Sequence, residues 1–243
     1  MKNFYKIRLC FALIIFLLSC IAFCGWFYPV HFLDYQFVPL FQRVLFDFSV
    51  IALLGLIGIL LITYFFGRFY CSCFCVLGIT QEVGALVFEK LKRKPVASKC
   101  NYGIKYLIMA LCFGSFAGGS AVIIRYLEPY TIFGASSTPC LYGRIIGLVI
   151  LLLVFFKNRF FCTNICPVGA CLGLISKLTF NKIYMKEDVC VSCGKCERNC
   201  PAGCINSKEK FVENETCVKC LRCVSICPKN AMVYGRNLKK EIK

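Results

Sequence analysis

Four long apolar runs alternate with polar segments over the first two thirds of the chain. They cover residues 9–28, 48–67, 106–124 and 138–156, and the first three carry no charge over 20, 20 and 19 positions. A run of about 20 apolar residues can cross a hydrocarbon core of about 30 Å as a helix. Arg144 interrupts the fourth run near one end, where a long side chain can snorkel to the headgroups. The pattern predicts four membrane-spanning helices.

Lys and Arg are unevenly distributed among the segments that flank these runs. Residues 1–8 hold three, 29–47 hold one, 68–105 hold seven, 125–144 hold two, and the chain after Phe156 holds sixteen. Positive charge concentrates on the cytoplasmic side of membrane proteins. We therefore expect a multi-pass protein of the bacterial inner (cytoplasmic) membrane with both termini in the cytoplasm. A cleaved signal ending at Cys20 is the alternative for the first run, but that run continues to Tyr28.

A repeat relates the ends of the second and fourth runs. The stretch "GRFYCSCFCVLG" from Gly67 resembles "NRFFCTNICPVG" from Asn158, with 91 residues between matching positions. The matched residues are Arg68 with Arg159, Cys71 with Cys162, Cys75 with Cys166, and Gly78 with Gly169. We predict two duplicated helical hairpins, each ending in a Cys-x₃-Cys turn at the cytoplasmic face.

Composition agrees with this picture and excludes other classes of protein. Hydrophobic residues make up 59 % of the chain and charged residues 17 %, which is too apolar for an ordinary soluble domain. The single histidine, His31, excludes a haem with two axial imidazoles supplied by this chain. The net charge of +17 lies beside the apolar runs, and no nucleic-acid-binding motif is present, so we expect no nucleic-acid partner.

Of the 21 cysteines, eight form two copies of one motif near the C-terminus. Each copy reads C-x₂-C-x₂-C-x₃-C-P, the bacterial-type ferredoxin motif, whose fourth cysteine ligates the other of two [4Fe–4S] clusters. A zinc ribbon would instead pair C-x₂-C units across a long spacer. We therefore assign one cluster to Cys190, Cys193, Cys196 and Cys227, and the second to Cys217, Cys220, Cys223 and Cys200. The extra Cys204 is expected to serve packing.

The Cys-x₃-Cys pairs of the repeat leave more than one interpretation open. The four thiols of Cys71, Cys75, Cys162 and Cys166 could converge on a third cluster, could act as redox thiols, or could preserve only a turn shape. We expect metal or redox involvement. Free cysteines within apolar runs, such as Cys10 and Cys112, are expected to behave as small hydrophobic residues.

With these motifs the chain resembles the NapH-type membrane ferredoxins, which share a polyferredoxin module with NosR-type and CcoG-type proteins. The resemblance covers nearly the whole chain, although Val76 stands where the family has the proline that the second motif keeps as Pro167. It implies quinol oxidation and transfer of electrons through partner redox proteins, as in an electron-transfer subunit of a quinol dehydrogenase-type oxidoreductase. An electron donor in metal-centre or oxidase assembly is the first alternative. A subunit of a flavin-linked ion-translocating redox complex is the second.

These observations combine into one predicted architecture. Residues 1–180 are expected to form a membrane all-α four-helix bundle. Residues 181–243 are expected to form a small cytoplasmic α+β ferredoxin domain with two [4Fe–4S] clusters. Expected partners are membrane lipid, quinone and redox proteins. Polar groups that could contact a quinone are Gln81 and Glu82, or Arg125, Tyr126 and Glu128.

Overall fold

The structure is a computed structural model that describes residues 2–23, 36–90, 96–97, 100–117, 145, 149, 152 and 157–236. Its first part is helical. The helices are α1 (Lys2–Phe23), α2 (Phe37–Phe46), α3 (Val50–Phe66), α4 (Tyr70–Cys73), α5 (Val76–Lys90), α6 (Tyr102–Ala117) and α7 (Pro167–Lys177), with a π-helical turn at Phe161–Ile165. Strands β1 (Val96–Ala97) and β2 (Lys157–Asn158) pair in parallel.

Local sequence signals explain where two of these helices begin. The hydroxyl of Ser49 accepts a hydrogen bond from the backbone N–H of Ala52 and caps α3. At α7, the thiol of Cys166 takes the capping position and accepts from the N–H of Gly169, while Pro167 occupies the first helical position. The second cysteine of the repeated motif is therefore fixed at the positive end of a helix.

The predicted membrane four-helix bundle was wrong. Within the described residues, no helix has the length and the apolar character that crossing a bilayer demands. Helix α3 has 17 residues, a length of about 26 Å at 1.5 Å per residue, which is less than a core of about 30 Å. Helix α6 has 16 residues and contains Lys105. The fourth predicted span lies almost entirely outside the described residues.

Helix α2 was also not foreseen, because residues 29–47 were expected only to connect two spans. It packs against α3, and its buried residues Phe37, Val38 and Leu40 contribute to the interior of the helical part. Phe37 and Val38 share a core cluster with Tyr70, Cys71 and others. The start of α2 therefore lies directly beside the first cysteine motif.

The second part, up to residue 236, is built on small sheets and short helices. Strands β3 (Lys182–Met185) and β6 (Met232–Gly235) pair antiparallel, as do β4 (Ile205–Asn206) and β5 (Phe211–Val212). Helix α8 (Lys195–Arg198) follows the first cysteine loop and α9 (Arg222–Ile226) follows the second. The core of this part combines five buried cysteines with eight other apolar side chains, six of them aliphatic and two methionine. The predicted domain boundary near residue 180 stays a prediction.

The two cysteine loops have the same backbone path. Positive φ angles occur at three matching places, each pair 27 residues apart: Ser192 with Lys219, Gly194 with Leu221, and Gly203 with Asn230. A left-handed conformation is free for Gly194 but costs a leucine about 1–2 kcal/mol. Burial of Leu221 in the core offsets this cost. The duplication of the motif is therefore a duplication of structure as well.

Backbone and side-chain contacts fix the second part on the helical part. The backbone N–H of Phe180 donates to the carbonyl of Tyr64 at 3.0 Å, and the hydroxyl of Ser176 donates to the carbonyl of Asn214 at 2.9 Å. Buried Lys105 of α6 pairs with Glu215 at 2.9 Å. The loop that precedes Cys217 is thus attached to the helices on several sides.

Candidate functional site

The first cysteine loop and the end of the second enclose one cavity. Its walls include the four thiols expected to hold one cluster, and it contains about 370 Å³ of space not filled by atoms, partly open to solvent. Backbone N–H groups point at the sulfurs, from Ser192 to Cys190 at 3.4 Å and from Ala231 to Cys227 at 3.3 Å. We call this group the outer set: Cys190, Cys193, Cys196 and Cys227. Cys193 is exposed. The four cysteines of the outer set surround one cavity, and backbone N–H groups donate to their sulfurs, as a bound cluster would require. Cluster binding itself stays a prediction.

The other four ferredoxin cysteines are all buried next to the helical part. We call them the inner set: Cys200, Cys217, Cys220 and Cys223. Burial raises the pKa of the Cys223 thiol, and the neighbouring thiols of Cys220, Cys217 and Cys200 raise it further. Four mutually close buried thiols disfavour one another as thiolates unless a cation lies among them. The inner set therefore also has the chemistry of a cluster site.

Cys204 has a more specific place than the packing role expected for it. Its sulfur lies 3.5 Å from that of Cys200. A hydrogen bond from Cys204, together with the charges of Lys219 and Arg68, lowers the pKa of the Cys217 thiol to about 6. Cys204 thus contacts two members of the inner set.

The four cysteines of the repeated motif converge on another cavity. It contains about 460 Å³ of atom-free space, compared with about 370 Å³ in the cavity of the outer set, and it is likewise partly open to solvent. We call these cysteines the third set: Cys71, Cys75, Cys162 and Cys166. Burial and mutual repulsion raise the pKa of the thiols of Cys75, Cys162 and Cys166 to about 12 each. Two copies of the motif that are remote in sequence thus bring four thiols to one place.

Close packing of the motif explains its glycines. A Cβ atom at Gly78 would overlap the carbonyl oxygen of Cys71, and one at Gly169 would lie 2.6 Å from the carbonyl oxygen of Cys162. The same relation, seven residues apart, thus recurs in both copies. Val76 and Pro167 both begin a helix directly after the second cysteine, so the missing proline does not change this geometry.

A search for single-ion sites gives no candidate among the described residues, where no group of three or more His, Cys, Asp or Glu side chains could hold one metal ion. Each of the three sets has four cysteines, which is the number of thiolates that hold a [4Fe–4S] cluster.

Arg68 joins the third set to the inner set. Its side chain is 0 % exposed, and Nη2 donates to the carbonyl of Cys162 at 3.1 Å. Nη1 donates to the carbonyls of Glu215 and Thr216, both at 3.3 Å, immediately before Cys217. Burial lowers the pKa of Arg68, but the thiols of Cys71, Cys162 and Cys166 raise it above the ordinary value. One buried cation thus connects the two cysteine sites.

The matching arginine, Arg159, has a different partner. It is 1 % exposed and donates from Nη2 to Glu82 at 2.9 Å. Arg8 of α1 donates to the same carboxylate through both of its terminal nitrogens and to the carbonyl of Ser72 at 3.0 Å. Glu82, which the sequence suggested as a quinone contact, is therefore occupied by two arginines. Gln81 beside it is buried, and within the residues that the structure describes neither its amide nitrogen nor its amide oxygen has a hydrogen-bond partner.

Sequence reasoning missed the buried cations. Arg8, Arg68, Lys105 and Arg159 entered the sequence analysis as topology signals, yet each is at least 96 % buried. The paired positions of Arg68 and Arg159 in the repeat were the only available signal. Several expected features lie outside the described residues, namely His31 and the quinone candidates Arg125, Tyr126 and Glu128.

Comparison with known proteins supports iron–sulfur chemistry in both parts. A family model described as "4Fe-4S binding domain" matches residues 48–95 and again 141–186, so it covers both copies of the repeat. Two other models with the same description match residues 187–203 and 211–233, in the two ferredoxin motifs.

The curated relatives are ferredoxin-type and electron-transport proteins. The chain is 29 % identical to the methylamine utilization ferredoxin-type protein MauN of Paracoccus denitrificans, over 62 % of this chain and 56 % of that protein. It is 29 % identical to the putative electron transport protein YccM of Escherichia coli, over 62 % and 46 %. Identity to the ferredoxin-type protein NapH of Haemophilus influenzae is 23 %, over 61 % and 54 %. The match thus spans about half the length of these relatives. No significant match to a solved structure was found.

Proposed function

Because this chain belongs to the NapH-like family of ferredoxin-type 4Fe–4S proteins, we propose that it carries electrons between quinone and a redox partner protein. We further propose that it binds three clusters, on the outer, inner and third sets of cysteines. Bound there, [4Fe–4S] clusters would accept and donate single electrons. The cysteines would hold the clusters, and the side chains packed around the inner and third sets would keep water away from the clusters bound there.

The observation that carries the proposal is the convergence of Cys71, Cys75, Cys162 and Cys166 on one buried cavity. If these cysteines acted as redox thiols, one pair of thiols would be enough. If the motif preserved only the shape of a turn, the two Cys-x₃-Cys turns would not need to lie next to each other. A model described as 4Fe–4S binding matches both copies of this motif, which also favours a cluster.

The connection through Arg68 supports transfer between the third and inner sets. Its guanidinium touches the backbone of Cys162 on one side and of Thr216, next to Cys217, on the other. The inner set in turn adjoins the outer set, because Cys200 and Cys196 belong to the same loop and α8 packs against α9. The three sets thus follow one another from the helices to the surface.

The surroundings of the third set support quinone access at that end. Its cavity is also lined by Gln36, Phe37, Val38 and Tyr70. The hydroxyl of Tyr70 accepts from the backbone N–H of Phe37 at 3.1 Å, while the side-chain nitrogen of Gln36 is buried and has no partner in the described part of the chain. A quinone site needs an apolar slot with a few such polar groups. We propose Gln36 and Tyr70 as the polar contacts in place of Glu82.

Exposed apolar side chains support contact of the helical part with lipid. The solvent-facing side of α3 includes Val50, Ile51 and Leu54, of which Ile51 is 70 % exposed. Continuous apolar surface of this kind on an isolated chain indicates an apolar neighbour. A lipid-soluble quinone would be available at such a surface.

The surface near the outer set supports docking of an acidic redox protein. Val191, 61 % exposed, lies beside exposed Cys193, and Lys195 and Lys229 flank the same cavity. Apolar side chains surrounded by lysines match a partner surface with the opposite charge.

One experiment tests the proposed exchange of electrons between quinone and the cysteine sets. Anaerobic protein is reduced with dithionite, freed of excess reductant and mixed with a short-chain oxidised quinone, and the return of cluster absorbance is followed. Each quinone takes two electrons from reduced clusters and two protons from water. A variant with Cys71, Cys75, Cys162 and Cys166 all changed to serine is compared with Cys10→Ser, which alters an exposed thiol of α1.

We expect Cys10→Ser to be reoxidised as fast as the unmodified chain and the fourfold variant at least tenfold more slowly. Unmodified protein that quinone does not reoxidise would exclude quinone as the partner. Equal rates for all three proteins would show that the third set is not on the route.

A further inference from the structure

A buried ion triad lies between the helical part and the inner set. Arg8 of α1, Glu82 of α5 and Arg159 before the π-helical turn come from three separate segments. Arg159 Nη2 lies 2.9 Å from Glu82 Oε2, and Arg8 Nη1 lies 3.0 Å from the same oxygen. All three residues are at least 92 % buried. The triad holds these segments together at one point.

The charges of the triad do not balance. Two guanidinium groups, which stay charged in proteins, share one carboxylate, so one positive charge remains. Arg8 Nε and both Arg159 Nε and Nη1 are buried without a hydrogen-bond partner among the described residues. A buried charge without compensation is costly, and such N–H groups are normally paired. The structure therefore calls for an anion or acceptor next to the triad.

The neighbour that can supply this negative charge is the inner set. Helix α1 packs against α9, which follows Cys220, and Tyr5 one turn before Arg8 packs on the cysteine-rich core. The Arg8 guanidinium stands 5.7 Å from the centre of the Tyr5 ring. Since Arg8 follows Tyr5 by less than one turn of α1, the triad adjoins the side of the ferredoxin part that holds Cys220.

We propose that the Arg8–Glu82–Arg159 triad sets the reduction potential of the inner cluster. This inference rests on the proposed assignment of a cluster to the inner set. Four thiolates outweigh the positive charge of a [4Fe–4S] core, and reduction adds one more negative charge. Net charge and hydrogen bonds near the sulfurs are established determinants of cluster potential. Each arginine favours the reduced state and raises the potential, whereas Glu82 lowers it.

The triad contains charges of both signs, so removing a negative and removing a positive charge should shift the potential in opposite directions. Structural damage would not produce opposite shifts. Holoprotein is titrated anaerobically with dithionite, one electron per cluster, and each cluster is followed by EPR. Glu82→Gln removes the negative charge and Arg159→Gln removes a positive one, while Arg159→Lys keeps the charge. Lys208→Gln, an exposed position of the same part, is the matched control.

We expect Glu82→Gln to raise the midpoint potential of one cluster and Arg159→Gln to lower that of the same cluster. Each shift should change the oxidised-to-reduced ratio at a fixed potential by about tenfold, which is about 59 mV for one electron. Arg159→Lys and Lys208→Gln should leave that midpoint near its original value, and the other cluster of the ferredoxin motifs serves as an internal reference.

Shifts of the same sign in both charge-removing variants, or no shift in either, would overturn the proposal. If Arg159→Gln does not accumulate, Glu82→Gln is compared with the double variant Glu82→Gln/Arg159→Gln, whose midpoint should lie below that of the single variant. An equal midpoint in the double variant would also overturn the proposal. Absence of a second [4Fe–4S] signal in unmodified protein would instead refute the cluster assignment on which it rests.

Discussion

Arg68 and Cys162, one from each copy of the repeat, are joined by a hydrogen bond of 3.1 Å from the guanidinium to the backbone carbonyl. The matching arginine of the second copy, Arg159, pairs with Glu82, which lies in the helix that follows the first copy. The buried arginine of each copy thus bonds to a residue in or directly after the other copy. This exchange explains why the arginine is repeated together with the cysteines.

Arg68→Lys should weaken the contact between the helical part and the ferredoxin part. Lysine keeps the charge but cannot donate in a fork to Cys162 on one side and to Glu215 and Thr216 on the other. Loss of these charged hydrogen bonds should cost about 2 kcal/mol of unfolding free energy. Thermal unfolding followed by cluster absorbance measures the effect, with exposed Arg198→Lys as the control. Equal midpoints for the two variants would contradict the bridging role.

Gly78→Ala and Gly169→Ala should each damage the third set. A methyl group at either position would collide with a backbone carbonyl of the preceding turn, which cannot move without displacing Cys71 or Cys162. Iron content should fall, and the two ferredoxin clusters should persist. Gly58→Ala in α3 is the matched control, because no atom lies within 4 Å of its added carbon. That change should be neutral or stabilising by up to about 1 kcal/mol. Iron loss in the control alone would refute the packing argument.

Lys105→Met should destabilise the attachment of the ferredoxin part. Glu215, which also accepts from the hydroxyl of Tyr106, would lose its buried cation. Removing one partner of a buried ion pair typically costs about 3–5 kcal/mol. Limited proteolysis should then cut between the two parts sooner than in the Lys177→Met control, whose side chain is exposed. Unchanged cleavage rates would show that this pair does not hold the parts together.

Oxidative removal of iron should occur in two phases. The outer set includes exposed Cys193, whereas all four cysteines of the inner set are buried. With ferricyanide and a chelator, the cluster on the outer set should be lost first, and at least tenfold faster than the rest. A single phase that removes all iron at one rate would be inconsistent with this difference in burial.

Local sequence motifs indicated which cysteines would come together, but they did not indicate the buried charged residues around them. The C-x₂-C-x₂-C-x₃-C-P spacing fixes a loop geometry, so the grouping around Cys190 and Cys227 could be expected from the chain alone. Membrane spans were inferred from the length of the apolar runs, but none of the described helices has the length and the apolar character to cross a bilayer. Burial of Arg8 and Lys105 depends on partners 74 and 110 residues away, and no local pattern encodes such contacts.

The most direct test of the account is the iron content of anaerobically purified protein, measured with and without the third set. We expect about twelve irons per chain, at four per cluster, and about eight in the fourfold serine variant of Cys71, Cys75, Cys162 and Cys166. EPR should show the loss of one [4Fe–4S] signal and the retention of two. About eight irons in both proteins, with identical spectra, would contradict the third cluster and confine iron–sulfur chemistry to the ferredoxin motifs.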